Sequence, residues 1–171
     1  LFLNGCVFAL AYYTHGGNLD AAREVCREAD KKTEILILGY TNPSLASLLA
    51  ENDLIQTLLS ADYADRLEKE ALRLGISVRV HAAADTGMNR IGFPAQDFRS
   101  VSDTVSRLTK LCHSRALRLE GVFSHLAAAD EPMGSSGEQL TRLQCERFRA
   151  LCSALVKPTK GALFYHLCNS A

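Results

Sequence analysis

The sequence lacks an excess of charge of either sign, and this limits the partners that it can recruit. Nineteen lysine and arginine side chains balance nineteen aspartate and glutamate side chains over 171 residues, so the formal net charge is zero. A protein without a global field has no general attraction for nucleic acid or for an anionic membrane surface. We therefore expect neither partner, and a ligand must be recognised by a local site.

Two further absences concern metals and membranes. None of the six cysteines has a neighbour at the spacing of a zinc knuckle, so we predict no metal site and expect buried thiols in a reducing compartment. The apolar opening at residues 1–8 lacks a basic leader, is interrupted by Asn-Gly, and is too short to cross a bilayer. The sequence thus predicts a cytoplasmic protein without membrane attachment.

The sequence does contain a regular alternation of short apolar runs and longer amphipathic ones, which is typical of repeated β-α units and a parallel sheet. Hydrophobic side chains make up 47% of the chain, which is enough for one sizeable core. The predicted strands cover residues 6–12, 34–38, 54–58, 76–84, 119–124 and 162–167. The predicted helices cover residues 19–29, 44–51, 62–74, 96–111 and 138–155.

Some of these helices can be predicted in more detail. Gly75 is expected to form the C-terminal cap of the helix at 62–74, because glycine accepts the left-handed conformation found there. The helix at 138–155 should bury one apolar face. We place on or near that face Leu140, Leu143, Phe148, Leu151 and Leu155.

The strand count leaves two architectures open. A closed (β/α)₈ barrel needs eight strands and about 250 residues. The six strands counted here, a first residue that is not Met, and a helix N-cap at Ser170 with no helix behind it favour a truncated barrel. We expect residues 1–171 to be a single incomplete TIM-barrel domain of about six parallel strands alternating with helices, without the first and last strands. A complete doubly wound sheet of six strands is the alternative.

The motif Asp-Thr-Gly-Met-Asn-Arg at residues 85–90 follows a predicted strand directly. Arg90 therefore leaves the carboxyl end of a strand, which is the edge where β/α proteins gather ligand groups. A planar guanidinium with five donors suits an anionic or phenolic oxygen. The alternative is that Arg90 simply pairs with a neighbouring carboxylate.

Two other strand ends carry candidate side chains. His125 could relay hydrogen bonds or titrate near neutral pH, or it could be a satisfied core histidine. Ser170, preceded by Asn169, could bind phosphate together with free backbone N–H groups, or it could only cap a helix. Because the strands are expected to be parallel, Arg90, His125 and Ser170 would share one edge of the sheet.

Four segments resemble the consecutive motifs of the alanine racemase family, which depends on pyridoxal phosphate. They are residues 35–41, 85–93, 120–131 and 166–171, in the family's order and approximate spacing. The resemblance implies strands two to seven of a (β/α)₈ barrel with the cofactor at its mouth, followed by a C-terminal β domain. It also implies a homodimer whose active sites take residues from both subunits.

The resemblance implies a role for each matching side chain. Arg90 would donate to the phenolic oxygen of the cofactor, and Asn169 and Ser170 would bind its phosphate. His125 would belong to the hydrogen-bond network that reaches a catalytic tyrosine of the second subunit. Asp130 would lie at the substrate entrance. The family interconverts L- and D-alanine by proton transfer between two bases, supplying D-alanine for peptidoglycan.

The chain also departs from the family pattern. The lysine that carries the cofactor belongs to a Lys-x-x-x-Tyr-Gly-His-Gly type motif expected before Leu1, while the catalytic tyrosine and the arginine facing the pyridine nitrogen are expected beyond Ala171. Ala83 stands where many members have a carbamylated lysine, so another group, or an anion bound from solvent, must hold Arg90. The lysines of this chain are predicted to be solvated: Lys31, Lys32, Lys69, Lys110, Lys157 and Lys160.

Several functions remain possible at this point. The chain can be a segment of a working alanine racemase, inactive by itself, or of a serine racemase of the same family. It can be a relative that has lost catalysis and binds pyridoxal phosphate, an anionic metabolite or a partner at the same edge. Without the resemblance, it can be a doubly wound phosphate-binding domain.

Overall fold

Buried strands alternate with amphipathic helices over residues 34–168, which are the residues that the computed structural model describes. The strands are β1 (Leu36–Ile37), β2 (Ile55–Leu58), β3 (Val78–Asp85), β4 (Phe93–Pro94), β5 (Leu117–His125) and β6 (Phe164–Cys168). The helices are α1 (Ala46–Glu51), α2 (Ala61–Leu74), α3 (Phe98–Leu111) and α4 (Ser136–Val156), and a 3₁₀ turn (Pro43–Leu45) precedes α1. None of these four helices is long and apolar enough to cross a membrane.

The described residues fall into two compact units, of which the first comprises residues 34–81 and 115–118. Within it, β1 pairs in parallel with β2, with Leu36 opposite Ile55, and β3 follows β2 in the strand order. Helix α2 begins where the Ser60 hydroxyl accepts a 3.1 Å bond from the Tyr63 N–H, and it ends at Gly75. Gly75 has a φ of 66°, which confirms the predicted cap. The fully buried core side chains include Leu49, Leu58, Leu67 and Val80.

The second unit comprises residues 82–114 and 119–168. Its strand order is β3-β5-β6, with β4 also paired to β3. Strands β5 and β6 are parallel and in register up to His125 opposite Cys168. Helix α3 begins with a capping box in which Asp97 and Ser100 each bond the backbone N–H of the other, and it packs against α4. The core side chains of this unit include Leu108, Val122, Leu151 and Leu155.

Most of the predicted elements within residues 34–168 are confirmed. Five predicted strands and four predicted helices are present, and their ends agree with the prediction to within two residues. Strand β4 was not predicted. The predicted strand at 6–12 and the predicted helix at 19–29 lie outside the described residues.

The predicted apolar face of α4 needs one correction. Phe148, Leu151 and Leu155 are buried, as expected, but Leu143 is 41% exposed and the neighbouring Gln144 is fully buried. Gln144 lies four, seven and eleven residues before the three buried side chains, which is the spacing of a single helical face. Leu143 precedes Gln144 by one residue, which turns its side chain by about 100° around the helix axis and so away from this face.

Candidate functional site

The turn that leads to Arg90 is organised around the carboxylate of Asp85. Its Oδ1 accepts 3.0 Å hydrogen bonds from the backbone N–H groups of Gly87 and Asn89, and its Oδ2 accepts one of 3.3 Å from the Gln96 side chain. The Gln96 amide also donates to Asn89 Oδ1 at 2.7 Å. An aspartate that bonds its own following backbone makes a compact turn. These contacts fix the backbone on which Arg90 follows β3.

The chain then returns close to β3 through Gly92. This residue has a φ of 116°, and a Cβ at this position would lie 2.7 Å from the carbonyl oxygen of Ala83. Only glycine fits such an approach. Ala83 itself is 3% exposed. Asp85, Gln96 and the return at Gly92 therefore support the Arg90 loop, with Ala83 buried beside that return.

The Arg90 side chain is exposed, and within residues 34–168 no carboxylate forms an ion pair with it. The alternative was that Arg90 forms a structural ion pair with a carboxylate. The part of the chain that the structure describes offers no such carboxylate. Its positive charge does reach His125. Strands β3 and β5 are neighbours in the sheet, so the loop after β3 and the end of β5 place Arg90 close enough for its charge to act on the His125 imidazole.

His125 is the last residue of β5 and is partly buried. Burial, followed by the positive charge of Arg90, lowers the pKa of its imidazole below the ordinary value of 6.5. Both effects disfavour the charged form of histidine. The ring is therefore neutral at neutral pH, so that one ring nitrogen can donate a hydrogen bond while the other accepts one.

A buried amide that sequence reasoning missed, that of Gln144, is hydrogen-bonded to the two segments that carry this pair. The Gln144 side chain donates to Thr86 Oγ1 at 3.2 Å and to the carbonyl oxygen of His125 at 3.0 Å, and it accepts from the N–H of Ala127 at 2.9 Å. The Thr86 hydroxyl in turn lies 2.8 Å from that of Ser124. One signal could have found Gln144, namely a polar residue at helical spacing from three apolar ones.

The other predicted site residues are less defined. Asp130 is exposed between β5 and α4, and Asn169 and Ser170 lie outside the described residues. Over residues 34–168, no three histidine, cysteine, aspartate or glutamate side chains cluster as metal ligands would. The four lysines in this range are exposed, as predicted: Lys69, Lys110, Lys157 and Lys160.

The fold and the site together define the class of the protein. Parallel β/α units carry a guanidinium and a neutral imidazole at the carboxyl ends of adjacent strands, which is where β/α enzymes bind their ligands. Residues 11–171 match the family model described as the N-terminal domain of alanine racemase. The chain belongs to this family, as the resemblance of its motifs predicted.

Individual relatives agree with this assignment. The chain is 35% identical over 145 residues to alanine racemase 1 of Caldanaerobacter subterraneus subsp. tengcongensis, which covers 85% of this chain and 35% of the relative. It is similar to the solved alanine racemase of Clostridium difficile 630, with a TM-score of 0.72, 27% identity, and coverage of 90% of this chain and 37% of the other.

A third similar protein is the alanine racemase of Bacillus anthracis, solved with bound L-Ala-P, which has a TM-score of 0.68, 27% identity, and coverage of 88% of this chain and 36% of the other. The chain thus spans about a third of the length of the relatives it matches. These similarities confirm the predicted fold class, part of a (β/α)₈ barrel, over the doubly wound alternative.

Proposed function

We propose that this chain is the barrel segment of a pyridoxal-phosphate-dependent alanine racemase, and that Arg90 and His125 belong to its cofactor site. The observation that carries the proposal is the exposed Arg90 guanidinium, which has no ion pair within residues 34–168 and lies close enough to His125 to act on its charge. Family membership supplies the expected ligand.

The described donors fit this cofactor. A guanidinium that is not neutralised by a carboxylate can donate to the phenolic oxygen, and a neutral imidazole can extend a hydrogen-bond network without adding a second positive charge. The cofactor, when bound, would stabilise the negative charge left at the α-carbon of an amino acid that loses its proton. Arg90 would orient it, and His125 would orient the tyrosine of a second subunit in a homodimer.

Further parts of the proposal concern residues and partners beyond the described site. Asn169 and Ser170 would bind the phosphate, and Asp130 would lie at the entrance for a small amino acid such as alanine. The solved Bacillus anthracis relative with bound L-Ala-P supports this class of substrate. The product would be D-alanine for peptidoglycan. That residues 1–171 form one barrel domain stays a prediction.

We expect residues 1–171 to be inactive by themselves. The family's cofactor lysine stands in a motif that does not occur in this sequence, and the lysines in residues 34–168 are exposed side chains of helices and turns. The second base would be the tyrosine of the partner subunit. A reducing cytoplasm is supported by three free thiols in the described residues, those of Cys112, Cys145 and Cys152.

The test uses the natural polypeptide that contains this chain, assayed for the interconversion of L- and D-alanine in the presence of pyridoxal phosphate. We expect activity in the unaltered protein and a loss in Arg90→Gln of roughly 10- to 150-fold in kcat/KM. This is the range for removing one hydrogen bond to a charged group, about 1.5–3 kcal/mol.

The matched control for this experiment is Arg149→Gln, which removes an exposed arginine of α4 whose side chain makes no hydrogen bond or ion pair with residues 34–168. Its activity should equal that of the unaltered protein. Absence of racemisation in the unaltered polypeptide would refute the proposed activity, and equal kinetics for Arg90→Gln and Arg149→Gln would refute the role of Arg90.

A further inference from the structure

The fully buried Gln144 occupies a position where the helix pattern calls for a hydrocarbon side chain. It lies on the same face of α4 as Phe148, Leu151 and Leu155. A buried amide that lacks partners is destabilising, and an apolar side chain of similar shape would serve packing as well or better. Gln144 avoids that cost because its side chain donates two hydrogen bonds and accepts a third.

These three hydrogen bonds lead to two different segments. One goes to Thr86, at the start of the loop that carries Arg90, at 3.2 Å. The other two go to the backbone of His125 at 3.0 Å and of Ala127 at 2.9 Å. We propose that Gln144 is the positioning residue of the Arg90 and His125 pair, because its single side chain ties together the two segments on which they stand.

The direction of the hydrogen bonds also depends on an amide at this position. The Ser124 hydroxyl donates its one proton to the carbonyl oxygen of Ala84 at 2.7 Å, so the Thr86 hydroxyl must donate to Ser124. Thr86 Oγ1 is then left to accept, and Gln144 is the donor that it meets. A side chain without a donor at position 144 would leave both Thr86 Oγ1 and the carbonyl oxygen of His125 unbonded by the helix.

Arg147 provides a contrast on the same helix. Its guanidinium donates to the carbonyl oxygen of Thr86 at 2.8 Å, so it also supports the loop after β3. Among the described contacts, it makes no hydrogen bond to the segment from His125 to Ala127. Arg147 thus holds one of the two segments, whereas Gln144 holds both.

The inference rests on the proposed function for the importance of Arg90 and His125, but its test needs no cofactor. The imidazole of His125 is titrated by nuclear magnetic resonance in the natural polypeptide that contains this chain, without added cofactor. Arg90→Gln should raise the pKa of His125, because a nearby positive charge is removed. The size of this rise measures how well the two side chains are held together.

The same Arg90→Gln change is then made in two backgrounds. Gln144→Met keeps the approximate side-chain volume and removes all three hydrogen bonds, so the rise in the pKa of His125 should fall to less than about half of its original size. In the Arg147→Met background the rise should be retained in full, because the tie between the two segments remains. Gln144→Asn, whose shorter amide cannot reach both segments, should behave like Gln144→Met.

Hydrogen exchange in the unaltered chain gives a second readout that does not depend on any variant. Ala127 lies beyond the end of β5, yet its N–H donates to Gln144 and should exchange slowly. A fast-exchanging Ala127 amide would overturn the proposal. So would a pKa of His125 that does not respond to Arg90→Gln, or a response that is undiminished in Gln144→Met or equally diminished in Arg147→Met.

Failure of this inference and failure of the proposed function give different results. Suppose that the natural polypeptide does not racemise alanine, while Gln144→Met does reduce the response of the His125 pKa to Arg90→Gln. The proposed function would then be refuted, and the positioning role of Gln144 would stand. An active racemase in which the coupling survives Gln144→Met would refute the positioning role alone.

Discussion

Gly92 is the residue on which the return of the chain to β3 depends. Two properties coincide there: a φ of 116°, which L side chains rarely adopt, and a carbonyl oxygen of Ala83 that would lie 2.7 Å from an added Cβ. Gly134 has only the first property, with a φ of 85° and open space around it. Substitution of Gly134 therefore tests the effect of backbone strain alone, and substitution of Gly92 tests strain together with a steric clash.

We therefore expect Gly92→Ala to lower the free energy of unfolding by more than about 2 kcal/mol, since the strain and the clash add. Gly134→Ala should cost only about 1 kcal/mol, for the left-handed backbone alone. Chemical denaturation of the two variants and the unaltered chain measures both values. Equal losses would contradict the close approach to Ala83 as the cause of the difference.

At the level of single residues, the sequence identified the side chains at strand ends but not their support. The strand-end positions of Arg90 and His125 could be predicted because each lies at or shortly after the carboxyl end of an apolar run. Helical spacing could have placed Gln144 on the buried face, but it could not have named its partners, because Thr86 and His125 are 58 and 19 positions away in the chain. Helical periodicity records which face is buried, and it does not record what that face touches.

Among the elements, α4 shows most directly how burial follows helical spacing. Leu151 is fully buried on its inner face, while Leu143 on its flank is 41% exposed. Both are leucines of the same helix, so their helix propensity is the same. A comparison of the two isolates the contribution of packing.

Leu151→Ala should lower the free energy of unfolding by about 2–5 kcal/mol, because it removes buried methyl groups and leaves a cavity. Leu143→Ala should change it by no more than about 0.5 kcal/mol. Thermal unfolding followed by circular dichroism distinguishes the two variants. A similar melting temperature for both would mean that the inner face of α4 is not packed as described.

The elements differ in how far the sequence predicts them. The helices were predicted to within two residues from their amphipathic spacing. Their side-chain N-caps, Ser60, Asp97 and Ser135, are local signals that the prediction did not use. Strand β4 has only two residues, Phe93 and Pro94, and it exists through pairing with β3. Such a strand depends on distant backbone, which no local pattern reports.

For the molecule as a whole, acid stability should depend on His125. Its folded pKa lies below the unfolded value of about 6.5, so the unfolded chain binds a proton more readily. Stability that is present above pH 6.5 is therefore lost as the pH falls through the folded pKa. The pKa values of Asp97 and Glu138 are lowered from 3.8 and 4.5, so these carboxylates stay ionised between about pH 7 and pH 5.

His125→Asn should flatten this pH dependence, because an asparagine cannot take up the proton. Melting temperatures between about pH 7 and pH 5 should fall less steeply in the variant than in the unaltered chain. His113→Asn, at an exposed histidine after α3, is the control for replacing a histidine outside the candidate site. A slope that is the same with and without His125 would refute the assignment of this titration to the site.

The hydrogen-bonded set of Thr86, Ser124 and Gln144 has a consequence for how the protein can evolve. Each proton in the set has one acceptor, so a change at one position alone leaves a buried group unbonded. We therefore expect these three residues to be retained together or substituted together during evolution. Lineages that abandon the amide of α4 would then need a new arrangement for both strand ends at the same time.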